Sequence, residues 1–146
     1  MQGSLREPSM HEQDYRRRLR QVLEEHLTQV EVYCPHEDHA ESLGYGDDKG
    51  RDVFFHHNQL AAKSDVLIAY LPEASMGTAV EMWEAHRAGK TILAITPLAH
   101  NWVVRFLSHH VFRDLEEFEA SVRSGELTAL LESIRTGNHP AKTNRE

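Results

Sequence analysis

Glu81 stands in a stretch whose order suits nucleophilic chemistry. The apolar run Val66-Leu67-Ile68-Ala69-Tyr70 is followed by Ser75-Met76-Gly77-Thr78-Ala79-Val80-Glu81, then Gly89-Lys90 and a second apolar run, 91–95. An apolar run of this length reads as a strand buried on both faces. The strand delivers a turn made flexible by Gly77, and the turn opens a helix whose first amides point into the ligand crevice. Glu81 sits about one turn into that helix. A carboxylate there can attack an electrophilic carbon, while the neighbouring amides hold an anion and favour the ionised acid. The competing reading, of equal weight on spacing alone, is a solvated helix residue that favours the helix dipole.

A second set of residues suits phosphate. Gly3-Ser4-Leu5-Arg6 is a glycine-led loop before a helix, with one hydroxyl and one guanidinium. Alone it also reads as an ordinary N-terminal segment. Ser75 has the hydroxyl for the same task, and its plainer role is helix N-cap. The eleven histidines fall partly in pairs, His36 with His39, His56 with His57, and His109 with His110. None shows an i, i+4 zinc pair with a third ligand, so no metal is expected. Arg16, Arg17 and Arg18 read as a solvated helix face.

The elements that position these residues follow from periodicity. Ser9 and Glu12 form a capping-box pattern, and Tyr15, Leu19, Val22, Leu23 and His26 follow at helical spacing, which predicts a helix from Met10 to His26. Residues 30–33 read as a strand ending before Pro35. A polar loop with Gly44, Gly46 and Gly50 spans 35–51, longer than a compact domain carries without purpose. Further helices are expected over 52–63, 77–88 (stopped by Gly89 at C′), 101–107 and 114–135, the last bent near Gly125. Strands are expected at 66–70, 91–95 and 110–112. The alternation implies a parallel sheet of about four or five strands flanked by helices. The runs 66–70 and 91–95 are its expected central neighbours. Ligands of such sheets bind beyond the carboxyl ends of the strands. The loops before Ser9 and at 35–50, 71–77 and 96–102 therefore frame the crevice.

Length and composition set the class. A chain of 146 residues is one domain, expected over 1–135 with a polar tail, 136–146, lacking fixed structure. With 40% apolar and 27% charged residues it can bury a core without disulfides or metals. The formal charge of −7 argues against a nucleic-acid polymer as partner. No apolar run reaches the length of a membrane span, and no signal-peptide core stands at the N-terminus. The single cysteine, Cys34, suits a reducing compartment, and a cytoplasmic location is expected.

From Gly3 to about Leu131 the order of motifs resembles the nucleoside 2-deoxyribosyltransferase-like superfamily, including the 2′-deoxynucleoside 5′-monophosphate N-glycosidases. That family carries a Ser/Ala-Asp-hydrophobic strand, a glycine-rich turn, a nucleophilic Glu, an Ala four residues on, then Gly-Lys and another strand. Ser64-Asp65, Gly77, Glu81, Ala85 and Gly89-Lys90 match it in order. The resemblance implies a Rossmann-like (flavodoxin-like) fold and Glu81 as nucleophile. Phosphate contacts would come from Gly3, Ser4, Arg6, Ser75 and Gly77. It further implies no cofactor, a nucleoside or nucleotide as small-molecule partner, and a homodimer or larger assembly whose crevice a neighbouring subunit helps to build. Trp102 and Phe106 are apolar enough to join that interface, with core packing as their plainer role. Three positions depart from the family. His57 stands where an Asp is usual, and would either give or take a proton there or be a surface histidine beside His56. Trp83 stands where a small residue is usual. The positioning tyrosine of the first strand has no counterpart, and Tyr33, Tyr45 and Tyr70 are the candidates to replace it. Gly77-Thr78-Ala79-Val80-Glu81 also looks like half of the cytokinin-activating phosphoribohydrolase motif, without its preceding paired glycines.

Two functional classes follow, besides a plain oligomeric scaffold. In the first, Glu81 attacks C1′ of a nucleoside or nucleoside 5′-monophosphate and cleaves or transfers the N-glycosidic bond. In the second, the same fold binds a nucleotide as a sensor without turning it over. Release of free base separates them.

Overall fold

A computed structural model describes residues 10–34 and 46–137 of the chain, with side chains from 15 onward. Its elements in chain order are α1 (Met10–His26), α2 (Asp47–Lys63), β1 (Val66–Tyr70), α3 (Met76–Arg87), β2 (Thr91–Ile95), α4 (Trp102–Leu107), β3 (His110–Phe112), α5 (Leu115–Ser124) and α6 (Glu126–Arg135). The strands form a parallel sheet in the order β1-β2-β3. Val66 pairs with Thr91 and Tyr70 with Ile95, so the two apolar runs are neighbours as expected.

The sheet is covered on both faces because β2 alternates between two cores. Leu93 and Ile95 pack with Val22 and Leu23 of α1, Phe118 and Val122 of α5, and Leu127 of α6. Ile92 and Ala94 pack on the opposite face with Met82 and Ala85 of α3 and Val104 of α4. Successive strand residues point to opposite faces, so four consecutive apolar residues become fully buried only between two helical layers. Helix α2 packs along α3 rather than on the sheet.

The sheet is smaller than expected. Three strands are present among the described residues, and β1 lies at an edge rather than in the centre. Residues 30–34 are not a strand. Val32 nevertheless packs against the α1-side core, and its carbonyl accepts a 2.8 Å hydrogen bond from Arg20 Nη2. A segment becomes a strand only by pairing its backbone with another strand, and 30–34 makes no such pairing among the described residues. Helix α2 starts at Asp47, earlier than residue 52, with Asp47 and Asp48 in its first turn. The Ser9 cap, most of the 35–51 loop and residues 138–146 of the tail lie outside the described residues.

Helix ends follow the sequence closely. Asn101 Oδ1 accepts from the amides of Val103 and Val104, and Asp114 Oδ1 from that of Glu117. Gly125, at φ 84°, divides the expected long helix into α5 and α6. After α3, Gly89 takes φ 72°. Its amide donates to His86 O at 3.0 Å, and Lys90 N donates to Ala85 O at 2.9 Å. This pair of bonds is the Schellman closure, which needs a left-handed residue at C′. A Cβ at Gly89 meets no atom within 4 Å, so the cost of Gly89→Ala is conformational alone. We expect it to lower unfolding free energy by about 1–2 kcal/mol in urea titrations. An unchanged midpoint would show that the turn re-forms without the left-handed residue.

Candidate active site at the carboxyl edge of the sheet

The carboxyl edge is tied together by backbone and one threonine. Leu71 N donates to Ile95 O (2.9 Å), and Thr96 N to Phe112 O (2.8 Å). Thr96 is buried; its hydroxyl donates to Leu71 O (2.6 Å) and accepts from Leu98 N (3.0 Å). The loops leaving β1 and β2 are thereby clasped side by side. Nothing in the sequence pattern singled out Thr96, because its partner Leu71 is 25 residues away.

Helix α3 rises from this edge. Ser75 is its N-cap, and its Oγ accepts from Thr78 N at 3.3 Å. The plainer role read for Ser75 is therefore real, and its hydroxyl proton is still free to be donated. Gly77 is the second residue of the helix, exposed, and a Cβ there would meet nothing within 4 Å. It is a helical residue, and the expected flexible turn instead lies in the preceding loop, 71–75.

Glu81 lies in the second turn, about 7 Å down the axis from the start of α3. Met82 and Ala85, on the buried side, have no exposed surface. Glu81 borders them and is half-buried. Among the described residues its carboxylate has no hydrogen bond or ion pair. Burial pushes its pKa above the usual carboxylate range. Burial therefore opposes the ionised form that the expected effect of the helix N-terminus favours.

His57 is half-buried on α2, which packs along α3, so the structure carries His57 and Glu81 on adjoining helices. Its ring lies 6.4 Å from that of His56. Trp83 points away from the site. Two helical residues subtend about 200°, and the indole is half-exposed, 5.6 Å from the His86 ring. A large residue at 83 thus leaves the Glu81 side of the helix clear. Tyr70 does not replace the positioning tyrosine. It turns to the α1 face of the sheet, where its ring lies 4.2 Å from that of Tyr15. Burial raises the Tyr15 hydroxyl pKa, partly offset by Arg16, whose guanidinium stands 4.9 Å from the ring centre. Tyr33 is exposed. Tyr45, Gly3, Ser4 and Arg6 lie outside the described residues.

The remaining polar groups serve the fold. Arg18 Nε donates to buried Glu119 at 2.8 Å and joins α1 to α5, so the arginine cluster is not wholly a solvated face. His109 Nδ1 accepts from Ile92 N at 3.0 Å, on the amino side of the sheet. Among the described residues no three His, Cys, Asp or Glu side chains converge on a point that could hold a metal. No described helix is long and apolar enough to cross a membrane. Comparison with protein families, curated proteins and solved structures returns no match to this chain.

Proposed function

We propose that the chain cleaves the N-glycosidic bond of a nucleoside 5′-monophosphate, with Glu81 as nucleophile. The observation that carries this reading is a half-buried carboxylate without a partner, on the helix that leaves the carboxyl edge of a parallel sheet. A buried acid left without an ion pair costs stability, and such groups cluster where chemistry is done. Glu81 Oε attacks C1′ as the C1′–N bond breaks through an oxocarbenium-like transition state. The base departs with the bonding pair and takes a proton, for which His57 on the adjoining helix is the candidate donor. Water then opens the glycosyl ester, releasing the sugar phosphate and restoring the carboxylate. Gly3, Ser4 and Arg6, with the Ser75 hydroxyl and the first-turn amide of Gly77, supply the phosphate contacts.

The test is a panel of nucleosides and 5′-monophosphates assayed for free base. Release from at least one monophosphate is the expected outcome. Arg6→Ala is expected to weaken nucleotide binding by about 1.5–3 kcal/mol and to leave nucleoside binding nearly unchanged. Equal losses for both would remove Arg6 from the phosphate site. The nucleotide-sensor reading is favoured by one observation, that no described side chain orients Glu81. Tight monophosphate binding without base release would replace the enzyme by the sensor.

A further inference from the structure

Strand β2 leaves the sheet through Thr96-Pro97, and the proline interrupts its ladder with β1. Thr91 N donates to Asp65 O at 3.3 Å, and Leu71 N to Ile95 O at 2.9 Å, with Val66 opposite Thr91 and Tyr70 opposite Ile95. Bonds between parallel strands are evenly spaced, and successive residues turn their amides to opposite neighbours, so residues 91, 93 and 95 bond toward β1. The same step places the next donor, the one due to Leu71 O, at residue 97. Proline has no N–H to give. Leu71 is buried, and a buried carbonyl left without a donor costs stability. The Thr96 hydroxyl donates to that oxygen instead, at 2.6 Å.

We infer that Thr96 is the positioning residue of the carboxyl-edge site, its hydroxyl standing in for the amide that Pro97 lacks. A ladder bond from residue 97 would carry the two strand exits onward side by side. A side-chain donor from residue 96 satisfies Leu71 and lets the chains part beyond it, one toward Ser75 and α3, the other toward Asn101 and α4. The same hydroxyl oxygen accepts from Leu98 N at 3.0 Å. Leu98 O in turn accepts from Asn101 N at 3.0 Å, and Asn101 Oδ1 from the amides of Val103 and Val104. An unbroken run of hydrogen bonds therefore joins the end of β1 to the first turn of α4, and Thr96 is the one side chain that crosses between the two exits in it. Both walls of the crevice are set by this run. Thr96 itself is 1% exposed and meets no ligand. It acts through the backbone of 71–75, from which Ser75 and Glu81 follow. The kinetic part of the inference rests on the glycosidase reading, and the hydrogen-bond part does not.

The experiment uses the full chain, as wild type, Thr96→Val, Thr96→Ser and the double variant Thr96→Val with Pro97→Ala. Valine keeps the branched shape and removes the hydroxyl. Backbone amide exchange is followed by NMR, with helical circular dichroism as the check on folding. Thr96→Val is expected to speed exchange at Leu71 and Leu98 by about 10-fold or more. Thr96→Ser should keep wild-type protection at both. In the double variant residue 97 regains an amide, so protection should return at Leu71 and stay lost at Leu98. A threonine that only fills the core would not answer to a change at Pro97. In the base-release assay Thr96→Val is expected to lower kcat about 10- to 100-fold and to move KM by less than about threefold, because a misplaced nucleophile still binds but reacts slowly. Unchanged exchange in the valine variant, serine behaving like valine, no recovery at Leu71 in the double variant, or unaltered kcat in an active enzyme would each overturn the proposal. If Thr96→Val does not fold, the double variant should, and failure of both overturns it as well. A wild type that releases no base removes the glycosidase reading, and the exchange measurements then decide the role of Thr96 by themselves.

Discussion

Glu81→Gln is expected to abolish base release and, at the same time, to make the protein more stable at neutral pH. The two effects share one cause. The half-buried carboxylate makes no hydrogen bond or ion pair among the described residues, and desolvation raises its pKa above the ordinary value of 4.5. Between that value and the raised one, the folded state holds a proton that the unfolded state has released. Unfolding free energy therefore falls as pH rises through this window, and stays reduced above it. A glutamine keeps the shape and removes the charge, so the penalty disappears and the melting temperature at pH 7 rises by a few degrees. At pH 4 or below, where both states hold the proton, the difference should shrink. Catalysis runs the other way, because only the ionised acid attacks. In the wild type kcat/KM should climb with pH through the same window. Glu73→Gln and Glu84→Gln are the controls. Glu73 is exposed in the loop before α3, and Glu84 is 3.8 Å from Arg87. Retained turnover in Glu81→Gln, with loss in either control, would move the nucleophile elsewhere. Higher stability with unchanged turnover would leave Glu81 a buried acid of no catalytic use.

Phe118→Ala is expected to be the most damaging core substitution, at about 3–5 kcal/mol. Phe118 is fully buried in the core between the sheet and helices α1, α5 and α6. Its ring meets Phe112 of β3 edge to face, with centres 5.2 Å apart and planes at 86°. Truncation loses the transfer energy of the ring and leaves a cavity among Leu93, Ile95, Val122 and Leu127. Domains of this size have only about 5–15 kcal/mol in hand, so a large share of the stability goes with one ring. Urea unfolding by circular dichroism measures it. Phe118→Leu, which keeps most of the volume, should cost clearly less. Equal midpoints for wild type and alanine variant would mean that this core is not the one that holds the sheet to α5.

The bounds of α1, β1, β2 and β3 were legible from the sequence alone, because each depends on residues close together in the chain. The 3.6-residue period of Tyr15, Leu19, Val22 and Leu23 needs no partner to be read as a helix face. Gly89 and Gly125 mark helix ends by a backbone freedom that belongs to glycine itself. The apolar run 91–95 requires a cover on both sides, whichever helices supply it. Tertiary structure decided what depends on distant chain. Residues 30–34 have the composition of a strand, but a strand exists only by pairing with another strand's amides and carbonyls, and 30–34 pairs with none among the described residues. Tyr70 looked free to serve Glu81 until the alternation of β1 sent it to the opposite face, against Tyr15. The raised pKa of Glu81 comes from burial, which no local spacing encodes. A helix dipole is set by position in the helix and can be read from sequence. Desolvation is set by what packs around the group, and it is what raises this pKa.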